Sequence, residues 1–213
     1  MKAYKCIIFD CDGVLVDSEV LGNQVFVDMA NEYGAGIDLE YAMKHFKGGF
    51  LNDSMNKVEA IIKSPLPKDF EPQYRKRSYE VFSSQLKAVD GVERVLKKLR
   101  VPYCVASSGP QEKIRRNLST AGLSSFFDTN VYSCYDIGKW KPDPAIYLHA
   151  SKDMGFLPND CLVIEDSYKG AKAATSGGFD VYGYAQLNED PEFEKEVTKS
   201  FVEMDQLISL LGL

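Results

Sequence analysis

Short β-rich runs, each ending in a polar turn, alternate with helical patterns along most of this chain. The runs are Lys5–Phe9, Tyr103–Ala106, Cys161–Ile164 and Asp180–Tyr182, with a weaker one at Asn130–Ser133. Helical spacing covers Gly91–Arg100, Gln111–Ala121, Pro144–Met154 and Tyr168–Ser176, and Met204–Leu211 reads as a short terminal helix. Strands alternating with helices predict an α/β fold with a parallel sheet covered on both faces. Val92, Val95, Leu96 and Leu99 recur at helical spacing and supply one such covering face.

The stretch from Glu19 to about Leu86 interrupts the alternation. It holds helical patterns at Glu19–Tyr33, Leu39–Phe46, Asn52–Ile62 and Pro72–Gln85 and no convincing strand. Gly34-Ala-Gly36 and Ser64-Pro-Leu-Pro67 punctuate it. Asn52 and Asp53 read as a cap for the helix that follows them. The expected organisation is a core of residues 1–18 and 87–213 with an inserted all-α domain of residues 19–86.

Composition narrows the function classes. The chain has 213 residues, 45% of them hydrophobic and 26% charged, with a net charge of −6. That is an ordinary soluble composition, and no run of Lys and Arg offsets the acidic balance, which argues against nucleic acid as a partner. No apolar run approaches a transmembrane length, and only a short apolar stretch precedes Asp10. The expectation is a cytoplasmic protein without a membrane or obligate protein partner. Cys6, Cys11, Cys104, Cys134 and Cys161 are odd in number and contain no Cys-x-x-Cys pair. Free buried thiols are expected, Cys11 included.

The chemistry gathers at the strand ends. Ligands of an open parallel sheet bind outside the carboxyl ends of its strands. There the chain places Asp10 and Asp12, then Ser107, Ser108 and Gly109, then Lys139-Trp-Lys141-Pro-Asp-Pro144, then Glu165, Asp166 and Ser167. Two carboxylates one residue apart can divide the work, one attacking as nucleophile and the other moving a proton. Gly13 lets the backbone turn sharply after them. Acids, a hydroxyl and a lysine converging on one spot suit phosphoryl transfer, where positioning and charge neutralisation dominate. A phosphate dianion repels an attacking carboxylate, and a magnesium ion (Mg2+) held by Asp10 and Asp166 would cancel that repulsion. Lys141 would neutralise phosphate and aspartate. Ser107 would hydrogen-bond a phosphoryl oxygen, helped by backbone N–H groups near Gly13 and Gly109. Asp12 would protonate the leaving alcohol and later deprotonate water.

These segments resemble a known family. Asp10-Cys-Asp12-Gly-Val-Leu-Val-Asp-Ser18, the serine after Val105-Ala106, Lys141-Pro-Asp-Pro144 and Val163-Ile-Glu165-Asp166-Ser167 are similar to the four motifs of the haloacid dehalogenase superfamily, in the family's order. The resemblance spans almost the whole chain. It implies a Rossmann-like core with an α-helical cap, and a magnesium-dependent phosphatase or phosphomutase working through an aspartyl-phosphate. It implies Asp10 as nucleophile, Asp12 as acid and base, and Ser107, Ser108 and Lys141 as phosphate ligands. The implied metal set is Asp10, the backbone carbonyl of Asp12 and Asp166, with Glu165 in support. The halide-releasing branch lacks the second aspartate, so Asp12 points to phosphate chemistry.

Within the superfamily the chain is similar to the beta-phosphoglucomutase-like group. The mutases proper carry a histidine where this chain has Gly22 and a cap-loop arginine where it has Leu51. Both departures favour hydrolysis of a small phosphorylated metabolite, a sugar phosphate or sugar-acid phosphate. Val105-Ala-Ser-Ser-Gly-Pro110 and Ser133–Ala145 resemble bacterial 6-phosphogluconate phosphatases more specifically. The rival readings are a phosphomutase and a non-enzymatic sensor of a phosphometabolite; the presence of both Asp10 and Asp12 speaks against the sensor. The family places glycine directly before its lysine, as Gly138 precedes Lys139, but the Pro-x-Pro context follows Lys141, which is preferred. Lys47 with Gly48, and Arg75 on a helix, are candidates for reading the substrate's remote end. His45 and His149 are expected to be non-catalytic, His149 with a packing or surface role on its helix, and Trp140 is expected to pack.

Overall fold

The computed structural model describes residues 2–46, 51–186 and 190–213. The β-rich runs are strands β1 (Cys6–Phe9), β2 (Tyr103–Ser107), β3 (Val131–Ser133), β4 (Cys161–Glu165) and β5 (Asp180–Tyr184). The sequence reading missed β6 (Lys199–Phe201), an edge strand of 3 residues that is too short to show a period. All neighbours pair in parallel, in the order β3-β2-β1-β4-β5-β6. This is the Rossmann-like order, whose switch point lies beside β1.

Between β1 and β2 come α1 (Glu19–Glu32), α2 (Leu39–His45), α3 (Leu51–Ile62), α4 (Phe70–Gln85) and α5 (Val92–Lys98). Helix α6 (Gln111–Thr120) and the single-turn α7 (Ser124–Phe127) join β2 to β3. The single-turn α8 (Cys134–Ile137), α9 (Ala145–Asp153) and a 3-10 turn at Pro158–Asp160 lead to β4. Helix α10 (Tyr168–Ser176) joins β4 to β5, α11 (Pro191–Glu196) precedes β6, and α12 (Gln206–Leu211) follows it.

The chain divides into two compact units, Met1–Val16 with Lys87–Leu213 and Asp17–Leu86. In the first, alternation along each strand sends side chains to opposite faces of the sheet. Cys6 and Ile8 pack on one face with Cys104, Cys161, Val163, Ile146 and Tyr147. Phe9 points the other way, its ring edge-on to Phe127 and Tyr103. Every residue of β1 is buried, as a sheet covered on both sides requires. All five cysteines are free and buried.

The second unit packs around Phe26, whose ring meets Phe46, Phe70 and Tyr74 edge-on at centroid distances of 5.2, 5.7 and 5.7 Å. Asp38 caps α2 by accepting from the Tyr41 N–H at 2.8 Å. Helix α3 already includes Leu51, so Asn52 and Asp53 sit in its first turn, a correction to their reading as its cap. Leu51 packs against this unit's core. Among the described residues no helix is long and apolar enough to cross a membrane.

Candidate active site

The site lies at the carboxyl ends of β1, β2 and β4. Strand β1 runs directly into Asp10, whose N–H still bonds to the Ile164 carbonyl at 3.0 Å. The register pairs Phe9 with Ile164, which puts Asp10 beside Glu165 and Asp166. The chain then turns tightly: Leu15 N–H bonds back to the Cys11 carbonyl at 2.9 Å and Gly13 N–H to the Val16 carbonyl at 2.9 Å. Gly13 has φ +83°, and a Cβ there would lie 2.3 Å from Asp166 Oδ2. Glycine is therefore required twice, by conformation and by the approach of a carboxylate.

Lys141 is the centre of the charge arrangement. Its Nζ lies 2.5 Å from Asp10 Oδ1 and 2.6 Å from Glu165 Oε1 and donates to the Ala106 carbonyl at 3.2 Å. The side chain is 6% exposed. Lys139 is 60% exposed and pairs with Asp143 at 3.5 Å.

Glu165 is fully buried and engaged on both oxygens. Oε1 accepts from Lys141 and from the Tyr147 hydroxyl at 2.5 Å. Oε2 accepts from the N–H groups of Asp166 and Ser167 and from the Ser167 hydroxyl, at 3.0–3.1 Å. Ser167 Oγ in turn caps α10 by accepting from Gly170 N–H at 3.1 Å.

These contacts set the ionisation. Burial pushes the Asp10 carboxyl up to about 7, against the pull of Lys141; the negative charge of Glu165 adds to the push. Burial also opposes ionisation of Glu165, but Lys141, Tyr147 and the Ser167 backbone more than offset it and hold that carboxyl below its usual range. Burial works against the Lys141 ammonium, and Asp10 and Glu165 overcome it to hold the lysine well above its ordinary value.

Asp12 is held from α6. Lys113 Nζ lies 2.7 Å from its Oδ2, and Asn117 Nδ2 donates to its Oδ1 at 3.3 Å. Ser107, at the end of β2, is buried, and its Oγ accepts from Gly109 N–H at 3.1 Å. Ser108 is half-buried beside Cys134.

Arg75, on α4, makes an i,i+4 pair with Glu71 at 2.6 Å. Lys47 and Gly48 fall outside the described residues. His149 is exposed and meets the Tyr132 ring edge-on at 5.6 Å, and His45 lies against Tyr41 at 4.3 Å. Trp140 packs partly buried, edge-on to Tyr135. At Gly22 a Cβ would already sit 3.3 Å from the Tyr74 hydroxyl and 3.6 Å from Phe82.

Sequence reasoning missed Lys113, Asn117, Tyr147 and Gly170. Asn117 had a usable signal: it shares the stripe Ile114, Asn117, Leu118 that α6 buries, and a polar residue on an apolar stripe requires a partner. Tyr147 gave none, because an aromatic residue on an inward helix face is ordinary core.

The donor set suits a hard divalent cation. Carboxylate oxygens of Asp10, Glu165 and Asp166 lie within 4.8 Å of one another, and all three residues are buried. Both oxygens of Glu165 are engaged by Lys141, Tyr147 and the α10 turn, and Asp10 and Asp166 are the other two carboxylates of the cluster that could hold such an ion. One or two carboxylates are what magnesium takes from a protein.

The sequence matches the haloacid dehalogenase-like hydrolases over residues 7–184. The chain is 34% identical over 212 residues to the 6-phosphogluconate phosphatase of Escherichia coli (strain K12), covering 99% of this chain and 96% of that one. It is 29% identical to a phosphorylated carbohydrates phosphatase of Thermotoga maritima, covering 97% and 98%. The fold superimposes on the crystal structure of a conserved haloacid dehalogenase-like protein of Agrobacterium tumefaciens with TM-score 0.91 at 28% identity, covering 99% and 98%. With four motifs meeting at one end of a Rossmann-like sheet, and relatives matched along its full length, the chain belongs to the haloacid dehalogenase-like hydrolases.

Proposed function

We propose that this chain is a magnesium-dependent phosphatase that hydrolyses a small phosphorylated sugar or sugar acid through an aspartyl-phosphate on Asp10. The observation that carries the reading is Asp10 Oδ1, 2.5 Å from a buried lysine that a fully buried glutamate holds in place. A lysine fixed in this way brings positive charge to the point where a phosphoryl group must meet a carboxylate.

The geometry supports the following roles. Asp10 attacks phosphorus; its Oδ–P bond forms as the bond to the leaving alcohol breaks, and Asp12 supplies the proton that alcohol takes. In the second half Asp12 removes a proton from water, the water oxygen bonds to phosphorus, and the acyl-phosphate bond to Asp10 breaks. Lys141, Ser107, Ser108 and backbone N–H groups near Gly109 bind the phosphoryl oxygens. Asp10, Asp166 and the backbone carbonyl of Asp12 would hold magnesium, which when bound offsets the repulsion between carboxylate and phosphate.

Hydrolysis is favoured over a mutase reaction by Gly22 and Leu51. Gly22 is crowded by Tyr74 and Phe82, and Leu51 is spent on packing, so neither supplies the polar group that the mutases carry there. We assign substrate choice to the helical unit, with Lys47, Gly48 and Arg75 as its candidate readers. The Escherichia coli relative makes 6-phosphogluconate the first compound to try.

The test is a panel of phosphorylated sugars and sugar acids, with p-nitrophenyl phosphate as a generic substrate, assayed with magnesium and with a chelator. Phosphate release should require the metal and favour a sugar or sugar-acid phosphate over the aryl ester. Turnover that survives exhaustive chelation, or a product that is an isomeric sugar phosphate, would refute the reading; tight binding without turnover would make the chain a sensor.

A further inference from the structure

The Asp12 side chain is held by two side chains of one helix, α6. Lys113 and Asn117 stand one turn apart on α6, a spacing that puts both on one face. Lys113 takes Oδ2 at 2.7 Å and Asn117 takes Oδ1 at 3.3 Å. Asn117 is buried, and its own Oδ1 has no hydrogen-bond partner among the described residues. The amide is therefore turned to give its N–H to Asp12 even though its oxygen goes unsatisfied. Turning it over would set oxygen against carboxylate. Lys113 is packed as well: its Cδ would lie 3.3 Å from a Cβ at Gly109, so the glycine leaves room for its stem.

Both contacts come from groups that only donate here, an ammonium and an amide N–H. They match a carboxylate, which only accepts. Asp12 must be a carboxylate when it takes a proton from the water that attacks the aspartyl-phosphate. In the first half-reaction it must instead carry the proton that the leaving oxygen receives.

We infer that Lys113 and Asn117 are positioning residues that hold the Asp12 carboxylate for hydrolysis of the aspartyl-phosphate, the second half of the reaction. This rests on the phosphatase reading above. Lys113 fixes one oxygen of Asp12 by charge, and Asn117 fixes the other by direction.

The test is stopped-flow turnover of p-nitrophenyl phosphate with saturating magnesium. An aryl leaving group needs little protonation, so release of p-nitrophenolate reports the first half and steady turnover the second. In Lys113→Met, kcat should fall about 10- to 100-fold, part of the ~10²–10⁴ that a positioned proton acceptor supplies. KM should fall in parallel, so that kcat/KM stays within about twofold, and a burst approaching one p-nitrophenolate per active site should precede the slow phase. Lys113→Arg, which keeps a charged donor, should recover most of kcat. A general loss of structure would lower kcat/KM and give no burst. A fall in kcat/KM as large as that in kcat would place Lys113 in the first half-reaction or on the phosphate, and would overturn the inference. An unaltered chain with no metal-dependent turnover would overturn the phosphatase reading itself, an outcome visible before any variant is made.

Discussion

Gly170 is pressed against Glu165: a Cβ at position 170 would lie 1.8 Å from Glu165 Oε1. That oxygen cannot give way cheaply, because Lys141 and Tyr147 both donate to it. Gly170→Ala should therefore displace the glutamate and loosen Lys141. Overpacking of this kind costs about 1–3 kcal/mol. Thermal melts should show the loss, and kcat should fall as well, since the lysine loses its support. A variant with unchanged melting temperature and turnover would show that Glu165 is not held as described.

Tyr147 tests the same support from below. Its hydroxyl is buried and donates to a carboxylate, and burial together with Glu165 holds its pKa well above the ordinary value. Phenylalanine fills the same space without the hydroxyl. A hydrogen bond to a charged group contributes about 1.5–3 kcal/mol, so denaturant unfolding of Tyr147→Phe should show a loss in that range. A neutral substitution would mean that Lys141 and the α10 turn satisfy Glu165 without it.

Asp10 predicts an unusual pH dependence. Its folded pKa of about 7 lies above the ordinary 3.8. Between those values the folded protein keeps a proton that the unfolded chain has released. The resulting stability is complete below the unfolded value and is lost as pH rises through the folded one. Glu165, shifted the opposite way, acts only near and below its ordinary 4.5. In the presence of a chelator, the melting temperature should therefore fall between about pH 5 and pH 8. Asp10→Asn, which carries no ionisable group, should abolish turnover and flatten that part of the profile. It should also melt higher than the unaltered chain at pH 8. Parallel profiles for the two proteins would remove Asp10 as the source of the slope.

The sequence was legible where a rule acts locally. Val and Ile runs ending at Asp10, Ser107 and Glu165 mark strand ends, and a parallel sheet sends strand ends to one side. β6 and α11 were not legible because each buries a single side chain, Phe201 and Phe193, and α8 because it is one turn that buries only Cys134, so none of them shows a period. Within the site, residues that react announce themselves through type and spacing, as Asp10 and Asp12 do. Residues that hold them do not. Tyr147 and Gly170 matter because the fold brings them to Glu165, from 18 residues upstream in one case. Lys139 and Lys141 show the limit clearly. Both are lysines in one loop, and only the packing around Ala106, Asp10 and Glu165 separates a buried charge from one paired with Asp143 at the surface.

The last prediction separates Asp166 from Glu165. A ligand that binds only the folded state raises stability by about 2.7 kcal/mol at a hundred times its dissociation constant. Magnesium should therefore raise the melting temperature of the unaltered chain. Asp166→Ala should fold, keep Lys141 on Glu165, and lose most of that metal-induced rise. Glu165→Gln replaces an acceptor of five hydrogen bonds with an amide that must present one N–H to donors. It should therefore melt lower with or without the metal, while retaining a metal-induced rise through Asp10 and Asp166. Melting scans against magnesium concentration read both effects without any assay of activity. A retained rise in Asp166→Ala, or its complete loss in a folded Glu165→Gln, would exchange the roles given to the two acids.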